Sequence, residues 1–184
     1  NFAAGHGLAY NPGEAASEGF TSPLWFLLLS LGAGLLPMEL LPFFSTLLGL
    51  LAFLGLLLAV ARSSRAEPRA GRLLAMLALA LWPGLVFYAA TGLETLLFVL
   101  CVVVFHCAAL ELLPGKLGLA AAFLAIWIRP EGVWLIAALL LSFLPFAALR
   151  RQLLSKRIVR LAAALIAGGV LLAGMRWLLF SDIL

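Results

Sequence analysis

Basic residues in this chain are confined to short gaps between long apolar runs, and that arrangement restricts its fold more than any other feature. Arg62, Arg65, Arg69 and Arg72 fill one gap, and Arg150, Arg151, Lys156, Arg157 and Arg160 fill another. Several of the runs between such gaps approach the roughly 20 residues an α-helix needs to cross a bilayer. With 65% hydrophobic and 11% charged residues, and a mean hydropathy of +1.18, the chain lies far from soluble domains, in which about a quarter of residues are charged. We therefore expect an all-α integral membrane protein: a single bundle of about six crossings with one further helix lying along the membrane.

A net charge of +4 raises nucleic acid as a partner. Neither basic cluster carries an aromatic stacking platform, so that partner is set aside. The clusters read instead as topological signals with some attraction to anionic headgroups. Basic residues stay in the cytoplasm, so both clusters belong inside and an even number of crossings separates them. The sequence supplies four: 73 to 90, interrupted at Pro83-Gly84, then 94 to 112, a short run at 117 to 128, and 132 to 149. A crossing at 40 to 61 precedes the first cluster and one at 161 to 180 follows the second. The turns then alternate, with 91 to 94 outside, Glu111 to Lys116 inside and 129 to 132 outside, and both chain ends facing outward.

Residues 23 to 36 resist that count, because about 14 apolar residues fall short of a crossing. Pro37 and Pro42 separate them from the next run. The expectation is a juxtamembrane helix with Ser22 as N-cap and Pro23 at its first position, which sets Trp25 at headgroup depth. A hairpin of true crossings is the alternative.

Residues 1 to 22, from Asn1 to Ser22, form the one extended polar segment, read as an extracytoplasmic loop. It carries His6, Tyr10, Asn11, Glu14 and Glu18 as candidate substrate-binding groups. Each competes with a plainer role: Asn11-Pro12-Gly13 is a turn signal, and a lone His between glycines commonly serves a turn. The opening residues start at Asn1 and lack a basic leader and a small-residue cleavage site, so no signal peptide is read there, and a longer protein is expected. Cys101, His106 and Cys107 share one run, but the two thiols lie on different faces and cannot readily converge on one ion; no metal site is expected.

The charges at the outer turns carry the sharper signal. Glu94 opens a run directly after Thr91-Gly92, where a carboxylate either complements the helix N-terminus or belongs to a site. Arg129 and Glu131 flank Pro130 at the end of the short run, and charges so near lipid are costly unless paired or solvated. Arg129 suits a phosphate through its planar fork, or pairs structurally with Glu131 or Glu94.

Gly5 to Glu14, Glu18 to Trp25, Thr91-Gly92-Leu93-Glu94-Thr95 and Arg129-Pro130-Glu131-Gly132 occur in that order along nearly the whole chain. In order and spacing they resemble bacterial polytopic glycosyltransferases of the GT-C class, notably the terminal arabinofuranosyltransferases. The first block is fairly specific; the two tetrapeptides are informative only in sequence. The resemblance implies transfer of a sugar from a polyprenyl-phosphate donor to a cell-envelope glycan, lipid or protein acceptor, at the outer face of a bacterial inner membrane. It leaves the cofactor unknown and a divalent metal open. The family's catalytic acidic pair lies just upstream of the Gly-His-Gly block, which places it before Asn1, and no Asp precedes Asp182 here. Residues 1 to 184 alone are therefore expected to be inactive, with further helices following in the complete protein.

Two other classes fit a polytopic chain. A transporter or flippase would use broken helices such as that at Pro83-Gly84, with polar residues near the midplane. A membrane scaffold without chemistry would use the polar loop to hold a partner.

Overall fold

Eight α-helices and one 3-10 turn make up the described part of the chain, residues 22 to 141 and 156 to 180 of a computed structural model. No strand occurs among the described residues. In chain order the helices are α1 Pro23–Leu35, α2 Leu41–Ser63, α3 Arg69–Ala80, α4 Pro83–Thr91, α5 Thr95–Ala109, α6 Gly115–Ile128, α7 Gly132–Leu141 and α8 Lys156–Phe180. The 3-10 turn, Met38–Leu40, leads into α2.

Two stretches are long and apolar enough to cross a membrane by themselves, Met38–Ser63 and Ile158–Leu178. The pair α3 and α4 makes a third if counted as one broken span, bent by 54°. Proline explains the bend: Pro83 has no amide hydrogen to continue the α3 ladder, and it places Trp82 in an extended conformation (φ −70°, ψ 114°). Helices α1, α5 and α6 are apolar but shorter than a span, at 13, 15 and 14 residues. Among the described residues two or three stretches are thus long enough to cross, against the six crossings expected. The run at 94 to 112 is shortened because its helix stops at Ala109.

That stop has a clear cause in the backbone. Glu111 takes a positive φ of 64°, while its amide donates to Ala108 O at 3.1 Å and the Leu112 amide to Cys107 O at 2.8 Å. This is the Schellman pattern, which uses the last free carbonyls of a helix and reverses the chain. Pro114 then precedes α6, its carbonyl accepting from the Leu117 amide at 3.0 Å.

Packing is inside-small and outside-large, as expected where lipid rather than water surrounds a bundle. Ala108 and Ala109 of α5 and Ala121, Ala122 and Ala125 of α6 are buried, with Phe105, Ile126 and Ile128 filling the space between. Gly118 permits the closest approach: a Cβ there would lie 2.5 Å from the Ala108 Cβ and 3.0 Å from Leu161 of α8. Leu31, Phe43, Leu74, Phe87 and Ile166, by contrast, stand exposed on the outside.

The first helix departs from its expected surroundings. Ser22 occupies the N-cap position and Pro23 the first helical position, but the Ser22 side chain makes no cap bond, and its Oγ is buried without a partner among the described residues. Trp25 is buried at 6% exposure rather than turned to a headgroup layer. The reason is that α1 packs against both α2 and α6, which directs its first turn into the protein.

Helix directions sort the charges into two ends. Ala59, near the end of α2, packs with Cys107, Ala108 and Leu113 at the end of α5. At the opposite end, Thr46 Oγ1 donates to Ala90 O at 3.2 Å. The gap holding Arg62 to Arg72, the 111 to 116 turn and the start of α8 therefore share one end, the basic end. The 91 to 94 and 129 to 132 turns share the other.

Candidate functional site at the 91 to 94 and 129 to 132 turns

Each turn is built by its own sequence. Gly92 ends α4 with a left-handed conformation (φ 65°, ψ 32°), and a Cβ there would meet Ser45 Oγ at 2.5 Å and the Thr46 amide nitrogen at 2.8 Å. Glycine alone satisfies both demands. The chain then re-enters a helix at Thr95, with Glu94 in the N-cap position and its carbonyl accepting from the Phe98 amide at 3.0 Å.

Pro130 shapes the second turn. It disfavours helical backbone in the residue before it, so α6 ends at Ile128 and Arg129 is extended (φ −144°, ψ 115°). The Arg129 carbonyl accepts from the Gly132 amide at 2.8 Å, closing a tight turn into α7. A Cβ on Gly132 would lie 2.9 Å from the Phe98 ring, so the absence of a side chain keeps α7 close to α5.

These two turns meet through their charges. Arg129 Nη2 donates to Glu94 Oε1 at 2.7 Å and to Thr95 Oγ1 at 3.3 Å. Its guanidinium carbon stands 6.0 Å from the Phe98 ring centre, at the outer limit of a cation–π contact. Glu94 makes no side-chain cap bond, so its carboxylate serves Arg129 rather than the helix amides. Of the two pairings open to Arg129, the one formed among the described residues is with Glu94 and not with Glu131.

The pair is neither fully buried nor fully exposed. Glu94 is 16% exposed and Arg129 41%, and Arg129 Nε is buried without a hydrogen-bond partner among the described residues. One nitrogen of the fork is thus anchored while another donor is unspent. A guanidinium held in this way keeps donors that its carboxylate does not use.

Glu131, two residues after Arg129, lines a second feature. A cleft of about 240 Å³ is lined by Pro130, Glu131, Trp134 and Arg176, so the end of α8 reaches the same place. Thr95, Phe98, Trp134 and Arg176 were not among the expected site residues. Arg176 carried a usable signal, a lone cation in an otherwise apolar run; Trp134 carried the weaker one of an aromatic residue next to a charged turn. Phe98 had none and Thr95 only its place in the Thr91 to Thr95 block, because their roles arise from where Arg129 lands.

The remaining candidates, His6, Tyr10, Asn11, Glu14 and Glu18, lie outside the described residues. Among the described residues the candidate site therefore consists of Glu94, Arg129 and Glu131 with their neighbours. Cys101 and Cys107 are buried in two separate packing clusters, and no group of metal-ligating side chains forms among the described residues. Comparison with protein-family models, curated proteins and solved structures finds no match.

Proposed function

We propose that this chain belongs to a membrane glycosyltransferase of GT-C type, moving a sugar from a polyprenyl-phosphate donor to an acceptor at the extracytoplasmic face. The observation that carries the reading is the Glu94–Arg129 contact at 2.7 Å, which joins the two weak tetrapeptides of the resemblance into one locus. A phosphate donor requires a fixed cation with unspent donors. Arg129 is such a group, anchored by Glu94 and Thr95 and still 41% exposed.

In this reading the basic end is cytoplasmic by the positive-inside rule, and the Glu94–Arg129 end is outside. All six expected crossings are retained, with α5 and α6 as short ones. A 15-residue helix is only about 22 Å long, against roughly 30 Å of hydrocarbon. Such a helix holds Glu94 and Arg129 deeper than a full span would, within reach of a phosphate attached to a prenyl tail. Glu131 and the Trp134–Arg176 cleft would then lie beside the sugar, and His6, Tyr10, Asn11, Glu14 and Glu18 remain candidate partners for its hydroxyls. The acid–base step is assigned to none of the described residues.

A transporter or flippase is the second reading, and the 54° break between α3 and α4 is the observation in its favour. Of the side chains exposed around that break, Leu81, Trp82, Val86 and Phe87 are uncharged, and Tyr88 adds a hydroxyl without a charge. A substrate path through the break would need charged groups there, so the site at the helix ends remains the better-supported choice.

Binding of a radiolabelled polyprenyl-phosphate sugar to the protein in proteoliposomes tests the proposal. Saturable binding that Arg129→Ala weakens at least tenfold, and that Arg129→Lys partly restores, is expected. Donor binding unchanged by Arg129→Ala would remove Arg129 from the site.

A further inference from the structure

A second cleft, of about 420 Å³, opens at the basic end, far from the Glu94–Arg129 locus. Its walls are Glu111, Gly115, Lys116 and Leu119 from the α5–α6 connection and α6, with Arg160 and Leu161 from α8. Lys116, Arg160 and Glu111 are all exposed. No ion pair forms among these three side chains; Arg160 donates its Nε to Lys156 O at 3.1 Å, which leaves the rest of its fork unspent.

The charge balance of the lining selects a ligand. Among the described lining residues two cations and one carboxylate leave one net positive charge, which matches a monoanionic phosphodiester better than a dianionic phosphate monoester. The carboxylate serves a purpose of its own in such a complex, since it accepts from hydroxyls carried by the headgroup. Glu111 is placed there by the backbone of the turn, at φ 64°, where a helix stop ordinarily favours glycine.

The surroundings select the source of that ligand. Leu119 and Leu161 line the same cleft as the charges. Leu112, Leu117 and Val159, each one or two residues from a cleft residue, are 49%, 48% and 60% exposed. A cleft that combines cations with leucine, beside uncovered apolar side chains, suits a molecule that is itself a charged head on a hydrocarbon body.

We propose that this cleft is a binding site for the headgroup of an anionic phospholipid, with Lys116 and Arg160 on the phosphodiester and Glu111 on headgroup hydroxyls. The site does not depend on the glycosyltransferase reading, only on the chain lying in a membrane.

Native mass spectrometry of the detergent-solubilised protein, titrated with phosphatidylglycerol or phosphatidylcholine, tests it. One equivalent of phosphatidylglycerol should be retained in preference to phosphatidylcholine. The double variant Lys116→Gln/Arg160→Gln should weaken that retention roughly thirtyfold, from about fivefold per basic residue near a membrane surface. Lys116→Arg/Arg160→Lys should keep it, which separates lost charge from lost folding. Arg65→Gln/Arg69→Gln, which removes two exposed cations of the same end outside the cleft, should leave it within about twofold. Equal retention of both lipids, unchanged retention in the Lys116→Gln/Arg160→Gln variant, or an equal loss in Arg65→Gln/Arg69→Gln would each overturn the proposal. So would sn-glycerol 3-phosphate or inorganic phosphate binding as tightly as the lipid, since the ligand would then be a soluble phosphate.

Discussion

Glu94 and Arg129, 35 residues apart in the chain, meet at 2.7 Å because two proline- and glycine-directed turns bring the start of α5 and the end of α6 to one place. Neither residue sits inside a regular helix. Glu94 is the residue just before α5 begins and Arg129 the one just after α6 ends, and Glu94 gives its carboxylate to Arg129 rather than to the helix amides.

Breaking that pair from either side should therefore cost more than an exposed salt bridge, which is worth about 0.2–1 kcal/mol. Glu94 is 16% exposed and Arg129 Nε already lacks a partner, so Glu94→Ala leaves the guanidinium without its anchor. We expect a loss of about 1.5–3 kcal/mol for either alanine variant. A double-mutant cycle on unfolding in mild detergent should return a coupling of at least about 1 kcal/mol. Additive losses would show that the contact contributes nothing to stability.

Gly92 supports the site from behind. Gly92→Ala places a Cβ at φ 65° and against Ser45 and Thr46 backbone, for an expected loss of about 2 kcal/mol or more. Gly174→Ala is the contrast. That glycine lies within α8 with nothing within 4 Å of a Cβ, so alanine there should stabilise by about 0.5–1 kcal/mol. Thermal unfolding of the two variants should move in opposite directions.

Glu111 makes a similar comparison at the other end. A non-glycine residue at φ 64° is costly by roughly 1 kcal/mol relative to glycine. Glu111→Gly should accordingly raise the unfolding midpoint in detergent. If Glu111 also contacts a headgroup, that gain shrinks when phosphatidylglycerol is added, because bound ligand stabilises the wild type more.

Gly118 and Ala108 make the tightest contact between α5 and α6. Gly118→Val should destabilise by about 3 kcal/mol, since its Cβ alone would lie 2.5 Å from the Ala108 Cβ in a close-packed contact. Gly118→Ala should be partly rescued by Ala108→Gly, which moves the methyl group from one helix to the other. Failure of that rescue would place the tight contact elsewhere, on Leu161.

The class of fold was legible in the sequence because it depends on segment composition. Long apolar runs bounded by Arg62 to Arg72 and by Lys156 to Arg160 could only be helices with lipid-facing sides. Pro83 announced the break between α3 and α4, and Pro130 the end of α6, since proline acts on its own neighbours whatever packs around them. The number of spans was less legible. Hydropathy does not register that Glu111 reverses the chain at Ala109, because that stop is made by backbone hydrogen bonds rather than by polarity.

The sequence by itself determined that this protein is helical and apolar on its outside, where its helices break, and that its charges collect in the gaps. Those properties are local, and each follows from a residue and its immediate neighbours. Only the tertiary structure decided that Arg129 takes Glu94 rather than Glu131, that Trp25 turns inward, and that Lys116 and Arg160 share a cleft. Each of these depends on the distance between helices, and that distance is decided by how closely Ala108, Gly118, Gly132 and their neighbours let backbones approach. No single segment contains that information, because it exists only once the segments are packed.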